Sequence, residues 1–493
     1  MSGFVIRSSH IVDAVSPIEV VNPELDVAIS GFAVDSREVD RHGMLFGAIS
    51  LRESALKTET VWYKLPESKG GYYFNHHEFV ESAIVRGARV ILCETLPESI
   101  LGDVQYIVVE NVIIALGKVA NYILQLANTL VVAVTGSSGK TTTVHMIYSV
   151  LRNHLSNVAK VYTYRPNPIT MSLGILNAFN EIGYGGTMVL EMPTDHYGCI
   201  SRLTSIAPPD IGVVLNVMEA HINVFRSIRE IARAKLELVI GLKPNGIAVL
   251  NFDDDLVNLM QTHARNHKVV GFAYGAHDAL VKAQFIERLP DSIRFELVYG
   301  AESVEVSLTM IGFSSVYNAL AVAAVALSVG IPLQEVGNSL AVFEAMQGRM
   351  SWKRLNNGRI RIYDNSAKSN STNLHHLIEA VKESKWTGRR ILVLGDLDSD
   401  EHEQIGDAVW QNISHIFEYV VFVGLTAQKY STCLLETTPF NPSNVLQADT
   451  QDEGAMLVIR LCDSTDEVVY MLATGKSSAN IGKLIEAMQK HYD

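Results

Sequence analysis

Short runs of apolar residues alternate along the chain with segments in which apolar positions recur at helical spacing. The runs cover residues 89–94, 105–110, 130–135, 186–191, 210–216, 246–251, 389–396, 419–424 and 467–475. Strands buried on both faces read as continuous apolar runs, and helices between them form the crossovers of parallel sheets. The pattern therefore predicts an α/β protein with one parallel-rich series between about 130 and 345 and another after about 358, behind a smaller N-terminal α/β unit.

The length of the chain bears on how these elements are grouped. A single hydrophobic core stops growing beyond roughly 250–300 residues, whereas this chain has 493 residues. We expect three domains, at residues 1–128, 129–347 and 348–493.

The net charge narrows the range of partners. The chain has 40 basic and 53 acidic side chains and a formal charge of −13, which argues against nucleic acid or an anionic membrane surface as a partner. A small anionic ligand remains compatible with this charge.

No apolar run approaches the roughly 18 residues of a membrane span, and the N-terminal segment lacks the apolar core of a signal peptide. We therefore expect a cytoplasmic protein with no membrane insertion.

The cysteines give no sign of a metal or disulfide framework. Cys93, Cys199, Cys433 and Cys462 are scattered, without CxxC spacing. Because the four cysteines are scattered, we expect them to be reduced and mostly buried thiols.

A glycine-rich turn in the stretch VVAVTGSSGKTTTVHMI, residues 131–147, predicts a phosphate site. Four apolar residues form a strand, GSSG forms the turn, and a helix follows. Backbone N–H groups and the positive end of the helix dipole attract phosphate there, with Lys140 reaching the β- and γ-phosphates and Thr141 on Mg²⁺. A plain Gly/Ser turn is the alternative, against which the Lys and Thr after the second glycine argue. The nucleotide-binding candidates are Gly136, Ser137, Ser138, Gly139, Lys140, Thr141 and Thr142.

Two further stretches carry candidate functional groups. Glu191 ends the run 186–191, and the carboxyl ends of parallel strands are where α/β sheets bind ligands. Farther along, His221 lies in a loop, Ser227 with Glu230 predicts a capping box, and Lys235 falls two turns inside the helix. A solvated strand end, a loop histidine and a surface lysine are the alternatives.

The short loop TGSSGKTT, together with the Asn-x4-His-x13-Lys arrangement, resembles the Mur ligase superfamily. This resemblance implies an N-terminal substrate domain, a central ATPase domain and a Rossmann-like C-terminal domain for the amine substrate. It further implies ATP and two Mg²⁺ ions, with Thr141, Glu191 and His221 as metal ligands. Lys235 corresponds to a lysine that is commonly carbamylated, which gives it a carboxylate-like group near the metal.

The resemblance continues, with departures, in the nucleotide contacts. Asn318 matches the family pattern Gly-x-His-Asn-x-x-Asn-Ala, but Ser314 and Ser315 replace its His-Asn pair. Arg349 matches an arginine that reaches the nucleotide phosphates. The loop that includes Asp364 matches imperfectly, because alignment places the family aspartate one residue later.

Both ends of the chain resemble ligases that act on uridine-diphosphate sugars. Asp35, Ser36 and Arg37 open a motif of the substrate domain, and His77 takes the place of a family histidine. An insertion of roughly twenty residues after Ser50 departs from the family loop. Lys368 is a candidate contact for the transferred phosphate, with a solvated lysine as the alternative. An ordinary α/β domain with a salt-bridged turn is the alternative for the N-terminal motif.

The resemblance implies an ATP-dependent ligase that activates a carboxylate as an acyl phosphate and joins it to an amine. The segment 391–409 is similar to the dipeptide-adding branch, which indicates an acceptor such as a UDP-sugar peptide and an amino acid or dipeptide as the amine. These substrates would place the enzyme in peptidoglycan precursor synthesis. Two alternatives remain: a related ligase for a secondary-metabolite or cofactor precursor, and a catalytically silent scaffold. The oligomeric state is left open.

Overall fold

The computed structural model describes residues 5–49, 75–163, 166–218, 225–274, 278–367, 369–398 and 405–492. Its helices are α1 (Ser8–Val15), α2 (Val80–Val85), α3 (Val112–Leu126), α4 (Lys140–His154), α5 (Pro168–Ile182), α6 (Cys199–Ile206), α7 (Ile228–Ile240), α8 (Asp255–Asn258), α9 (Phe313–Ser328), α10 (Leu333–Ala341), α11 (Ser371–Glu383), α12 (Asp407–Ile416), α13 (Ala427–Thr437), α14 (Gln451–Asp463) and α15 (Ile481–Tyr492). Its strands are β1 (Glu19–Val21), β2 (Phe32–Ala33), β3 (Met44–Ala48), β4 (Ala88–Cys93), β5 (Gln105–Val108), β6 (Leu130–Thr135), β7 (Val158–Val161), β8 (Thr187–Glu191), β9 (Ile211–Val214), β10 (Ile247–Asn251), β11 (Lys268–Tyr274), β12 (Val281–Arg288), β13 (Ile293–Tyr299), β14 (Glu302–Leu308), β15 (Ser351–Leu355), β16 (Ile360–Asn365), β17 (Arg389–Gly395), β18 (Tyr419–Val423), β19 (Val445–Ala448) and β20 (Val469–Thr474).

The described strands form three sheets, as expected for an α/β protein of this class. The N-terminal sheet has the order β1-β5-β4-β3-β2, in which only β1 pairs antiparallel. Its edge strand β2 meets α5 through one side chain: the Asn177 amide accepts from the Phe32 N–H at 2.9 Å and donates to the Phe32 carbonyl at 3.0 Å. The N-terminal sheet and α5 are thereby joined by two hydrogen bonds.

The central sheet contains the phosphate-loop strand at the middle of a parallel group. Strands β10-β9-β6-β8-β7 pair in that order, all parallel. Nearly all residues of β6, β8 and β9 are buried, which is why their sequence is continuously apolar. The expected runs 130–135, 186–191, 210–216 and 246–251 are confirmed as strands.

Eleven of the twenty described strands have no counterpart among the predicted apolar runs, and β12, β13 and β14 are three of them. Strands β12, β13 and β14 form antiparallel hairpins, and β11 pairs parallel with β12. Buried and partly exposed residues alternate along β13, as expected for a sheet that is covered on one face only.

The C-terminal sheet has the order β15-β16-β20-β17-β18-β19, with β15 antiparallel and the other pairs parallel. Apolar cores lie on both faces. One includes Tyr363, Leu392 and Trp410, and the other includes Ile362, Val393 and Ile485. This arrangement agrees with the expected Rossmann-like α/β domain.

The chain divides into two compact units. One contains Met1–Val144, Leu151–Leu250 and Asp254–Val270, and the other contains His145–Val150, Asn251–Asp253 and Gly271–Asp493. The boundaries expected at 128 and 347 stay a prediction. Within the described ranges, no helix combines the length and apolarity that a membrane span requires.

Candidate active site

The phosphate loop joins β6 to α4 and ends in a glycine with left-handed backbone. Gly139 has φ of +83°, a conformation that residues with a side chain rarely adopt. The helix begins at Lys140, so its first amides, which have no carbonyl partner within a helix, are directed toward the loop. This is the arrangement that binds phosphate.

Asn216, just after β9, holds the loop in place. Its backbone carbonyl accepts from the Ser137 N–H at 3.1 Å, and its side-chain oxygen accepts from the Ser138 N–H at 2.9 Å. The Ser137 hydroxyl in turn donates to the carbonyl of Met218 at 3.0 Å. The sequence analysis placed Asn216 at the end of an apolar run and in the Asn-x4-His-x13-Lys arrangement, but it did not predict that Asn216 contacts the phosphate loop.

Lys140 folds back over the loop that precedes it. Its Nζ donates to the carbonyl of Gly136 at 2.7 Å and to that of Ser137 at 3.4 Å. The ammonium therefore lies at the loop itself. A bound phosphate would replace the two carbonyl oxygens as the acceptor of its hydrogen bonds.

Thr141 and Glu191, both predicted from the sequence as metal ligands, meet beside the loop. The Thr141 hydroxyl donates to Glu191 Oε2 at 2.9 Å, and Glu191 is buried at the end of β8, opposite Val134 of β6. A hydroxyl and a carboxylate are hard oxygen ligands of the kind that Mg²⁺ prefers. The other expected metal ligand, His221, lies outside the described residues.

Lys235 is a buried lysine rather than a surface one. It lies two turns inside α7 with 3% of its surface exposed. Burial lowers the pKa of its amine well below the ordinary value, the charge of Lys140 lowers the pKa further, and Asp254 acts in the opposite direction. Sequence analysis assigned no role to Asp254, whose carboxylate also accepts from the Val217 N–H at 2.7 Å.

The start of α7 differs in one detail from the expected capping box. Ser227 caps the helix by accepting from the Glu230 N–H at 3.3 Å. The carboxylate of Glu230, however, accepts from the N–H of Arg226 at 3.0 Å rather than from that of Ser227.

The N-terminal candidates form two separate local structures. Asp35 pairs with the Arg37 guanidinium at 2.5 Å, which lowers the pKa of Asp35 to about 2, and Ser36 begins a 3-10 turn. His77 Nε2 accepts from the N–H groups of Glu94 and Thr95, at 3.1 and 3.3 Å. His77 therefore supports the backbone after β4. The insertion after Ser50 lies outside the described residues.

Three aromatic rings pack together beside Ser314 and Ser315, which replace the His-Asn pair of the family. Phe313 packs edge-on against Tyr274 and Tyr317, with centroids 5.0 and 5.1 Å apart. The Tyr317 hydroxyl donates to Asp253 at 2.9 Å. Ser315 is buried, with its hydroxyl donating to the carbonyl of Ile311, just before the helix, at 3.0 Å. The next turn of α9 carries the buried residue Asn318.

Arg349 and Asp364 belong to neighbouring segments of the C-terminal part. Gly348 has φ of +75°, and its carbonyl accepts from the Ala367 N–H at 2.9 Å, so the Gly-Arg segment contacts the loop after β16. Asp364 is 1% exposed; one carboxylate oxygen accepts from the Ser366 N–H at 3.0 Å, and the other is buried without a hydrogen-bond partner among the described residues. Lys368 lies outside the described part of the chain.

Comparison with known proteins extends these observations. A family model for the Mur ligase middle domain matches residues 134–326. The UDP-N-acetylmuramoyl-tripeptide–D-alanyl-D-alanine ligase of Buchnera aphidicola subsp. Baizongia pistaciae is 30% identical over 432 residues, which cover 86% of this chain and 88% of the relative. The Escherichia coli ligase of the same name is 27% identical, with 96% and 97% covered.

Solved structures show the same fold. MurF from Acinetobacter baumannii superimposes with a TM-score of 0.81 at 23% identity, over 99% of this chain and 100% of that chain. MurF from Thermotoga maritima in complex with ADP gives a TM-score of 0.73 at 22% identity, over 94% and 97%. The similarity therefore extends well beyond the phosphate loop, and the resemblance inferred from the motifs is confirmed. This chain belongs to the Mur ligases, and its relatives among them are the MurF ligases, ATP-dependent enzymes that form amide bonds.

Proposed function

We propose that this ligase joins D-alanyl-D-alanine to the terminal carboxylate of a UDP-N-acetylmuramoyl-tripeptide. The names of the relatives supply both substrates, and they favour peptidoglycan precursor synthesis over a secondary-metabolite or cofactor precursor. The substrate assignment rests on those names, and the observation that carries the ATP-dependent chemistry is the Thr141–Glu191 pair beside the phosphate loop. In the reaction, the substrate carboxylate takes the γ-phosphoryl group of ATP, and the amine then displaces phosphate from the acyl phosphate.

The residues of the loop serve the phosphates. The first amides of α4 and the Lys140 ammonium offer positive charge to the β- and γ-phosphates, and Gly136, Ser137, Ser138 and Thr142 complete the loop. Thr141 and Glu191 would hold Mg²⁺, which neutralises charge on the transferring phosphoryl group. His221 remains a proposed ligand for a second ion. Because the loop amides and the Lys140 ammonium are already in place, they can stabilise the charge that develops on the transferring phosphoryl group without rearranging.

Lys235 is proposed to be carbamylated. Its burial and the nearby Lys140 both favour a neutral amine, and the neutral amine is the form that reacts with CO₂. The product carries a negative charge, which suits a position beside Lys140 and a cation better than a second ammonium does.

We propose that the rings of Phe313, Tyr274 and Tyr317 receive the adenine base. Aromatic faces bind bases by stacking and need no particular hydrogen-bond pattern, which would compensate for the absent His-Asn pair. Asn318 and Arg349 stay proposed nucleotide contacts. For Asp364 as a nucleotide contact, the support is a buried carboxylate oxygen that has no hydrogen-bond donor among the residues that the structure describes.

The remaining assignments rest on the resemblance. We propose residues 1–128 as the domain for the UDP-sugar substrate, 129–347 as the ATP-binding domain and 348–493 as the amine-substrate domain. Asp35, Ser36 and Arg37 are proposed to contact the UDP-sugar substrate, His77 to support that site, and Lys368 to contact the transferred phosphate. Free cysteines, three of the four buried, accord with action in the reducing cytoplasm.

A phosphate-release assay with defined substrate pairs tests the proposal. We expect release that requires both UDP-N-acetylmuramoyl-tripeptide and D-alanyl-D-alanine, with a product mass equal to the sum of the two less one water. Omission of either substrate is the control. Turnover with a different carboxylate and amine, and none with this pair, would contradict the substrate assignment while leaving the ligase chemistry intact.

A further inference from the structure

A cluster of a carboxylate, an imidazole and a thiol lies in the segment that follows β8. Asp195 Oδ1 is 2.5 Å from His196 Nδ1, and Cys199 Sγ is 3.2 Å from both of these atoms. No role was assigned to these residues above, and Glu191 is the last residue of the strand that precedes them. The cluster contains three different classes of metal ligand within 4.8 Å of one another.

The cluster is held by residues outside it. The Glu237 carboxylate, on α7, accepts from the Gly198 N–H and from the Ser201 N–H, the latter at 2.8 Å, and so anchors the start of α6. The Thr194 hydroxyl donates to the His196 carbonyl at 2.7 Å. Cys199 is the first residue of α6. The ligand atoms are therefore placed by hydrogen bonds that a bound ion would not need to break.

The donor set determines which ion fits. Thiolate and imidazole ligands select borderline and soft ions such as Zn²⁺, whereas Mg²⁺ takes oxygen ligands. Tetrahedral Zn²⁺ with bonds of roughly 2.0–2.3 Å separates its ligands by roughly 3.3–3.7 Å. The three atoms here lie 2.5 to 3.2 Å apart, and Cys199 Sγ also lies 3.4 Å from His196 Nε2, against the face of the imidazole. Binding therefore requires the imidazole to turn toward the ion and the three atoms to separate by up to about one ångström. An ion that displaces the protons of the hydrogen bonds between these three atoms would cause that separation.

The exposure of the three side chains favours an ion over a covalent modification. Cys199 is 2% exposed, too little for an alkylating or oxidising reagent to reach its sulfur readily. The side chains of His196 and Asp195 are 24% and 48% exposed and leave a path for a small ion. We propose that Asp195, His196 and Cys199 form a site for Zn²⁺, with the fourth position open to water. This site is chemically distinct from the oxygen ligands Thr141 and Glu191.

Cobalt substitution of the full-length protein tests the site directly. Co²⁺ bound by a thiolate produces a sulfur-to-cobalt charge-transfer absorption, a readout that is independent of ligase activity. We expect this band to saturate at a single equivalent of Co²⁺ and to disappear when Zn²⁺ is added. Cys199→Ser should abolish the band, and His196→Ala should weaken Co²⁺ binding by at least tenfold.

Cys433→Ser is the matched control, because Cys433 is a partly exposed free cysteine elsewhere in the chain. It should bind Co²⁺ like the unmodified protein. If Cys199→Ser fails to fold, as judged by circular dichroism and thermal unfolding, Asp195→Asn serves as the second variant, because it keeps the thiol and should still weaken binding. Absence of the band, or its persistence in Cys199→Ser, would overturn the proposal.

Discussion

The hydroxyl of Thr141 donates a hydrogen bond of 2.9 Å to the carboxylate of Glu191. Fifty residues separate them in sequence, yet they meet because β6 and β8 are parallel neighbours and the helix after β6 begins beside the end of β8. The consequence is that a hydroxyl and a carboxylate lie together directly next to the phosphate loop. Removal of either oxygen should affect the cation rather than the fold.

Thr141→Val tests that expectation, because valine has nearly the same shape and lacks the hydroxyl. We expect turnover to fall by about 10²-fold, the scale of losing one preorganised stabiliser of transition-state charge. The Mg²⁺ concentration that gives half-maximal activity should rise. Thr432→Val, at an exposed helical threonine, is the control and should keep both parameters. A Thr141→Val enzyme with unchanged turnover and Mg²⁺ dependence would show that Thr141 does not serve the cation.

His221→Ala tests the second proposed cation. Loss of one ligand should lower turnover by about 10²-fold or more and alter the Mg²⁺ titration. His263, an exposed histidine of the same unit, provides the control variant His263→Ala. Identical Mg²⁺ profiles for His221→Ala and the unmodified enzyme would remove His221 from the metal site.

Lys235→Ala should be nearly inactive, and acetate should partly restore activity by occupying the place of the lost carbamate. In the unmodified enzyme, mildly alkaline pH should favour the carbamate, because deprotonation supplies the reacting amine, and acid should remove it. Carbon-13 NMR of protein equilibrated with labelled bicarbonate measures the modification. Lys268→Ala, at an exposed lysine, is the control. Full activity of Lys235→Ala, together with no labelled signal, would contradict carbamylation.

The same lysine predicts a pH dependence of stability when bicarbonate is absent. Because burial lowers the pKa of Lys235 in the folded state, the unfolded chain binds more protons between that lowered pKa and the unfolded value of about 10.4. The free energy of unfolding should therefore rise with pH across this window. Lys235→Met should flatten that rise in urea titrations, and an equal slope in both proteins would show that Lys235 does not cause it.

Phe313→Ala should raise the KM for ATP by about tenfold with a smaller effect on kcat, because stacking on a base is worth roughly 1–3 kcal/mol. Phe285→Ala is the control, since Phe285 is 81% exposed and belongs to the same unit. Thermal unfolding of both variants separates lost stacking from lost packing. An unchanged KM for ATP in a folded Phe313→Ala protein would place the base elsewhere.

The parts of this molecule that sequence predicted best are those fixed by local order along the chain. The run ending at Thr135, the glycines and Lys140 follow one another directly, so the strand, turn and helix could be identified without knowing what surrounds them. Strands β6, β8, β9 and β10 of the central sheet and β17, β18 and β20 of the C-terminal sheet were predictable for the same reason, because burial on both faces leaves a continuous apolar run.

Contacts between distant residues could not be identified in this way. Nothing adjacent to Asn216 indicates that it holds Ser138, and nothing adjacent to Tyr317 indicates a bond to Asp253. The scattered cysteines gave no metal pattern, because the partners of Cys199 are an aspartate and a histidine. For Asn216 and Tyr317, contacts across 78 and 64 residues depend on how the strands are arranged in the sheet, whereas Cys199 lies only three and four residues from its partners, in a spacing that no cysteine motif describes.

The double hydrogen bond between Asn177 and Phe32 also bears on self-association. An edge strand presents unpaired N–H and C=O groups that can template the addition of a strand from another chain. Strand β2 is such an edge, and the Asn177 amide occupies both outward groups of Phe32 as a further strand would. One side chain from α5 thus closes the N-terminal sheet against growth, and Asn177→Ala would leave that edge open to intermolecular pairing.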